Sequence, residues 1–275
     1  MRLATIRIDG GTRAVRIDGD EAVDLDADDV GIVLQRDDWR SWAASASGVT
    51  RPVAGLDYAP LIPRPDKIIC VGLNYKGHIA ETGAPTPEFP ILFAKYRASL
   101  VGANDDVVLP AATESDATDY EAELAVIIGR RARRVSEADA LDVVGGYAVC
   151  NDVSVRDYQR RTTQFLQGKT WERSTPLGPW LVTPDESPGP DREITCEVNG
   201  EQLQKSTTAD LLFDVAAVVS YASTIITLEP GDVIATGTPS GVGMARTPPR
   251  WLQDGDVMVT RIEGLGECRN TCRRD

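Results

Sequence analysis

At 275 residues, 42% hydrophobic and 26% charged, the chain can build one sizeable catalytic domain with a small appendage, and its composition is that of a globular protein. Its formal charge of −13, from 42 acidic and 29 basic residues, argues against a nucleic-acid partner, because gripping a phosphate backbone takes clustered Lys and Arg. A lone histidine, His78, excludes His-rich metal sites, and five scattered cysteines without a CxxC pair read as reduced thiols of a cytoplasmic protein.

Residues 1–48 read as a small β-rich unit: LATIRI and TRAVRI flank DGG, a hairpin signal, and DGD follows. The opening MRLATIRIDGG lacks the apolar core of a signal peptide. Four prolines in residues 49–66 mark an extended linker. Residues 1–60 are therefore expected to form an N-terminal unit with its linker, and residues 61–275 the catalytic domain. KIICVGLNY (67–75) reads as a short buried strand, YKGHIAET (75–82) as a brief helical turn, and APTPEFP (84–90) as irregular chain.

Short strands dominate from residue 91: ILFAK, DVVLP, EAELAVIIG, GYAVCNDV, ITCEVNG, DVIATG and DVMVTRIEG. Two helices are predicted among them. SEADALDVVGG (136–146) has Ser136 as N-cap and a Gly-Gly stop, and TTADLLFDVAAVVSYASTII (207–226) puts Leu211, Val215, Val218, Ala222 and Ile225 on one face. The apolar stretch 211–228 carries Asp214 and several hydroxyls, so a core helix is expected there and no membrane partner. Strands this numerous and helices this few predict an α+β fold, mixed and mostly β.

In DYEAELAVIIGR (119–130), Glu121 and Glu123 sit two apart at the front of a buried strand, so their carboxylates point the same way. Two readings are open: a solvated strand end, or a shared hard cation that reverses the repulsion. Asp152, closing GYAVCND, is either a third oxygen ligand from a neighbouring strand or part of a helix cap. In NYKGHIAETG (74–83), His78 and Glu81 lie at i and i+3, as in a base oriented by a carboxylate or as in an incidental surface pair. Lys169 precedes a turn-rich loop, and GTPSGVG (237–243) allows close backbone approach without matching GxGxxG or GxxxxGK[ST], which argues against a nucleotide enzyme.

The order NY–HxxE–G, ExE, NDVSxRDxQ, GK–PLGPW, LEPGDVIATGTPSGVG resembles the fumarylacetoacetate hydrolase family over about residues 67–272. The resemblance implies a β-roll catalytic domain, a homodimer, and one Mg²⁺ or Mn²⁺ held by Glu121, Glu123 and Asp152. It places a His78–Glu81 dyad on a lid, Lys169 beside the developing negative charge, and Arg156, Gln159 and Thr238 along the pocket. The activity it implies is Mg²⁺-dependent C–C hydrolysis of acylpyruvate-type 2,4-dioxo acids through an enolate the metal stabilises. Decarboxylation of oxaloacetate-type acids and isomerisation of 2-hydroxyhepta-2,4-diene-1,7-dioate are the alternatives on the same site. A non-catalytic cation-binding module is a remoter reading. Departures from the family pattern cluster near the substrate: Glu172, Ser174 and Thr175 stand after the lysine in place of an aspartate, an aromatic and a cysteine, and Tyr96 stands where proline is common.

Overall fold

In the computed structural model, which describes residues 1–186 and 191–275, the chain is a mostly β protein built around two mixed sheets. The Asp9-Gly10 turn joins Arg2–Ile8 to Gly11–Asp18 as an antiparallel hairpin, with Gly10 at φ 87°, a region an L side chain resists. Glu21–Asp24 and Thr50–Pro52 extend this hairpin outward. Inward, Leu3 pairs with Leu181, so the hairpin is continuous with the strand Thr175–Val182 and with the rest of the larger sheet.

That sheet continues through Val144–Asn151, Ala122–Ile128, Val233–Ala235, Ile68–Gly72 and Ile91–Lys95. All pairs along this run are antiparallel except Val233–Ala235 against Ile68–Gly72. Ala122–Ile128 is buried along its whole length, as the apolar run LAVII (124–128) that follows Glu123 demands. Its alternate residues enter different clusters, Leu124 packing with Val149 and Val198, Ala125 and Ile127 with Leu177 and Leu181. The second sheet, in the order Glu201–Thr207, Glu193–Val198, Val257–Ile262, Gly266–Arg274 and Val107–Leu109, covers the Leu124 side. All five cysteines are buried and free.

The seven predicted strands form, but both predicted helices differ. Residues 137–143 make a 3₁₀ helix, with Ser136 capping Asp139 N–H, and the chain enters the strand at Val144. Gly145 and Gly146 are strand residues whose missing side chains let neighbours close in. A Cβ on Gly146 would come within 2.5 Å of Val182 O and of Leu181 Cδ2. The second helix runs only Val215–Ile225, capped by Asp214 accepting from Ala217 N–H. Leu211 lies outside it, bridged to Tyr75, and Ile225 is exposed. The cause is Asn74, fully buried, which ties residues 212–213 into an extended turn. Its carbonyls accept from Leu212 and Phe213 N–H, and its amide donates to Phe213 O. Among the described residues no helix is long and apolar enough to cross a membrane.

Candidate active site

Strand pairing assembles the carboxylates. Ala122 lies opposite Asn151 and Glu123 opposite Cys150, so the residue after Asn151 arrives beside the residue before Ala122. Asn151 locks this register: its side-chain oxygen accepts from Glu121 N–H at 3.0 Å and its amide donates to Thr260 Oγ1 at 2.9 Å. Asp152 N–H donates to Glu121 O at 2.8 Å. Asn151 and Asp152 therefore cap no helix; Val155 occupies the N-cap of the short helix Arg156–Gln159. Glu121, Glu123 and Asp152 are all buried and offer one carboxylate oxygen each within 4.8 Å of one another.

Burying three like charges is costly unless cations meet them. Lys169 Nζ reaches Glu121 Oε2 at 2.6 Å and Asp152 Oδ2 at 2.8 Å, and Lys95 Nζ reaches Asp152 Oδ1 at 2.6 Å. Arg156 adds an ion pair to Glu121 Oε1 at 2.6 Å, but its charge is already balanced by Asp119 at 2.8 Å. Among the described residues Glu123 accepts only the Gly237 N–H, at 2.9 Å. Burial, Asp152 and Glu121 accordingly push its carboxyl well above the ordinary range. Burial acts in the same direction on Glu121, yet Lys169 and Arg156 outweigh it and bring that group down to about 2. Three carboxylates thus face two ammonium groups, leaving one negative charge without a cation. An all-oxygen set with that imbalance fits a hard divalent ion such as Mg²⁺ or Mn²⁺ and does not suit a soft metal.

The dyad expected from sequence is formed. The helix Lys76–Thr82 places His78 Nδ1 3.1 Å from Glu81 Oε2, and Gly83 ends it at φ 67°. Glu81 is fixed in turn by Gly241 N–H at 2.8 Å, and Gly77 N–H is held by Asp210 at 3.0 Å. His78, Glu121, Glu123, Arg156, Gln159, Lys169 and Thr238 line one cavity of about 390 Å³, with Phe93, Phe165, Leu73 and Met244 as apolar walls. Glu81 and Asp152 stand behind this lining, each hydrogen-bonded to a residue in it. A larger cleft of about 660 Å³, lined by Arg36, Trp39 and Arg130, contains none of these residues.

Arg156 and Gln159 are coupled to each other, Arg156 Nη1 donating to Gln159 Oε1 at 3.0 Å. Thr238 Oγ1 accepts from Gln204 Nε2 at 2.8 Å, while Gln204 Oε1 accepts from Ala122 N–H at 2.9 Å. Lys95, Asp119 and Gln204 escaped the sequence reading. Asp119 is a buried hub, accepting from Arg156, Tyr120 N–H, Gly243 N–H and Met244 N–H. A lysine closing the apolar run ILFAK was the available sign of a buried cation.

Residues 67–273 match the family model for the C-terminal domain of fumarylacetoacetate (FAA) hydrolase. The chain is 43% identical to the mitochondrial oxaloacetate tautomerase FAHD2A of Bos taurus over 218 residues, 78% of this chain and 69% of that protein. The solved fumarylacetoacetate hydrolase of psychrophilic Exiguobacterium antarcticum superimposes with a TM-score of 0.90 at 34% identity, covering 100% of both chains. Maleylpyruvate hydrolase of Sphingobium sp. SYK-6, solved with manganese(II) ion and pyruvate, gives 0.82 at 32% identity over 100% of this chain and 99% of that one. With the same motifs, the same fold and a buried carboxylate triad facing one cavity, the chain belongs to the fumarylacetoacetate hydrolase family of enzymes.

Proposed function

We propose that this enzyme, with Mg²⁺ or Mn²⁺, transfers protons at C3 of a short 2-oxo acid of the oxaloacetate type, interconverting its keto and enol forms. The observation carrying this reading is that His78, oriented through Nδ1 by Glu81, opens onto the same cavity as Glu121, Glu123 and Lys169. Glu121, Glu123 and Asp152 would hold the cation, which when bound supplies Lewis-acid polarisation of the substrate's 2-oxo and carboxylate oxygens.

With Nδ1–H donated to Glu81, Nε2 of His78 is the unprotonated nitrogen and accepts the proton from C3. The C–H electron pair becomes the C2=C3 bond, and negative charge collects on the 2-oxo oxygen. The enol forms when that oxygen takes a proton from solvent and His78 releases its own to solvent; in the reverse direction the enol O–H proton leaves to solvent and His78 Nε2–H protonates C3 to give the ketone. Lys169 has three N–H donors and uses two on Glu121 and Asp152, leaving one for that oxygen. Burial opposes its charge, but Asp152 and Glu121 raise its pKa above the ordinary lysine value, so it acts as a fixed cation and not as a base. Phe93 and Phe165, packed edge to face at 5.6 Å, restrict water at the apolar wall.

Similarity to the maleylpyruvate hydrolase over the whole chain favours a second reading, hydrolysis of an acylpyruvate, with His78 deprotonating water instead of C3. Absorbance assays on enol-oxaloacetate and on acetylpyruvate, each with Mg²⁺, Mn²⁺ or excess EDTA, separate the two. Cation-dependent decay of enol-oxaloacetate, lost by a factor of about 10² or more in His78→Ala, is expected. Turnover of acetylpyruvate alone would transfer the assignment to the hydrolase, and silence on both substrates with either cation would sink both readings.

A further inference from the structure

A second cavity, about 370 Å³ in volume, lies between the two sheets and the helix Val215–Ile225. Its walls include Leu124, Leu141, Leu211, Val215 and Pro184. Leu124 follows Glu123 in the strand, so it points to the opposite side from that catalytic-cavity residue. Leu141, one of the lining residues, is half exposed.

Arg192 projects a guanidinium into this apolar space. The residue is only 3% exposed, and Nη1 is buried without a hydrogen-bond partner among the described residues. Among the described residues no carboxylate pairs with it; the side chain lies over the Tyr147 ring at 5.5 Å. Asp214, the one acid on the cavity wall, is committed to capping the helix through Ala217 N–H. The backbone of Arg192 is fixed from both sides by Thr208, whose hydroxyl accepts the Arg192 N–H at 3.0 Å and whose own N–H donates to Arg192 O at 2.9 Å. Desolvation lowers the pKa of the group, countered only in part by Tyr147 and Glu263. A buried, unpaired cation in an apolar chamber is costly to maintain, and the group that relieves the cost is an anion carrying its own apolar body.

We propose that this cavity is a binding site for a monocarboxylate with a compact apolar tail, its carboxylate paired with Arg192 and its tail against Leu124, Leu211 and Val215. A planar carboxylate matches the guanidinium fork, and the single cation with apolar walls selects against di-anions and phosphates. The site is separate from the cation triad and does not depend on which reaction that triad serves.

Phenylacetate and hexanoate are the probes, titrated calorimetrically into EDTA-treated protein, with phenylacetamide as the uncharged counterpart. Both acids are expected to bind, the amide at least tenfold more weakly, and pyruvate in excess should not displace them. Arg192→Leu should lower affinity at least tenfold and raise Tm by 2 °C or more, since it removes an unpaired buried charge. Should that variant fail to fold, Arg192→Lys, which keeps the charge but not the fork, should still weaken binding severalfold. Failure of both acids to bind, equal affinity for the amide, or undiminished binding by Arg192→Leu would each overturn the proposal. So would a fall in oligomer mass for Arg192→Leu in protein that binds neither acid, because Arg192 would then be paired by a second copy.

Discussion

Lys95 and Lys169 share one carboxylate, Asp152, and that sharing explains why the site tolerates its own charge. Each ammonium sits within 2.8 Å of it, so removal of either lysine strands an anion with almost no access to water. The same logic applies one step out, at Asp119. Its two oxygens accept four hydrogen bonds and hold Arg156, whose guanidinium then orients Glu121 and Gln159. Asp119→Asn preserves shape but leaves Arg156 with Glu121 as its sole anion. A loss of about 3 kcal/mol in unfolding free energy is expected from urea denaturation. A cost below about 0.5 kcal/mol would show that Asp119 does not anchor the site. Glu121 and Glu123 were legible because strand alternation alone puts them side by side. Lys95 was not, since its partner is 57 residues away and an apolar strand ending in lysine reads identically whether the lysine meets water or a buried aspartate.

At the level of strands and helices, sequence periodicity identified the strands carrying Glu123 and Lys95 and the strand leading into Asp152, passed over Thr175–Val182 and Glu201–Thr207, and drew both helices too long, for the same physical reason. A hydrophobic pattern reports which residues seek burial, whereas the partner that arrives through tertiary contact decides the backbone. Residues 211–214 keep helical spacing, yet Asn74, 139 residues from Phe213, supplies the hydrogen bonds that hold them extended. Gly145 and Gly146 look like a helix stop, yet they are the flat surface against which Gly129 and Leu181 pack. Gly146→Ala tests this. Its φ is not in the left-handed region, so only contact, not strain, opposes the methyl group. Overpacking against the Val182 backbone should destabilise the fold by about 2–3 kcal/mol, read as a lower urea midpoint with an unchanged slope. Unchanged stability would mean that the strand shifts freely at this point. Because Val144–Asn151 leads into Asp152, activity should fall along with stability.

Across the whole molecule, an acidic chain of net charge −13 buries three carboxylates at one point of its larger sheet. Any salt relieves the diffuse surface repulsion, but Glu123, buried and met by no ammonium, is relieved in the interior only by a proton or by a bound cation. The two effects separate experimentally. MgCl₂ or MnCl₂ at about 100 times Kd should stabilise the fold by about 2.7 kcal/mol, beyond NaCl at matched ionic strength. For a chain of this length that corresponds to a rise in Tm of roughly 5–10 °C, and EDTA should reverse it. Glu123→Gln removes the carboxylate that no ammonium meets while keeping an acceptor for Gly237 N–H. The cation-free variant should therefore melt above the cation-free parent, and MgCl₂ should no longer shift it. These two signs together distinguish a cation site from general salt stabilisation. A variant still raised by MgCl₂ would place the divalent ion elsewhere on the acidic surface, and one that melts lower without cation would mean that the Glu123 charge is already compensated within the fold.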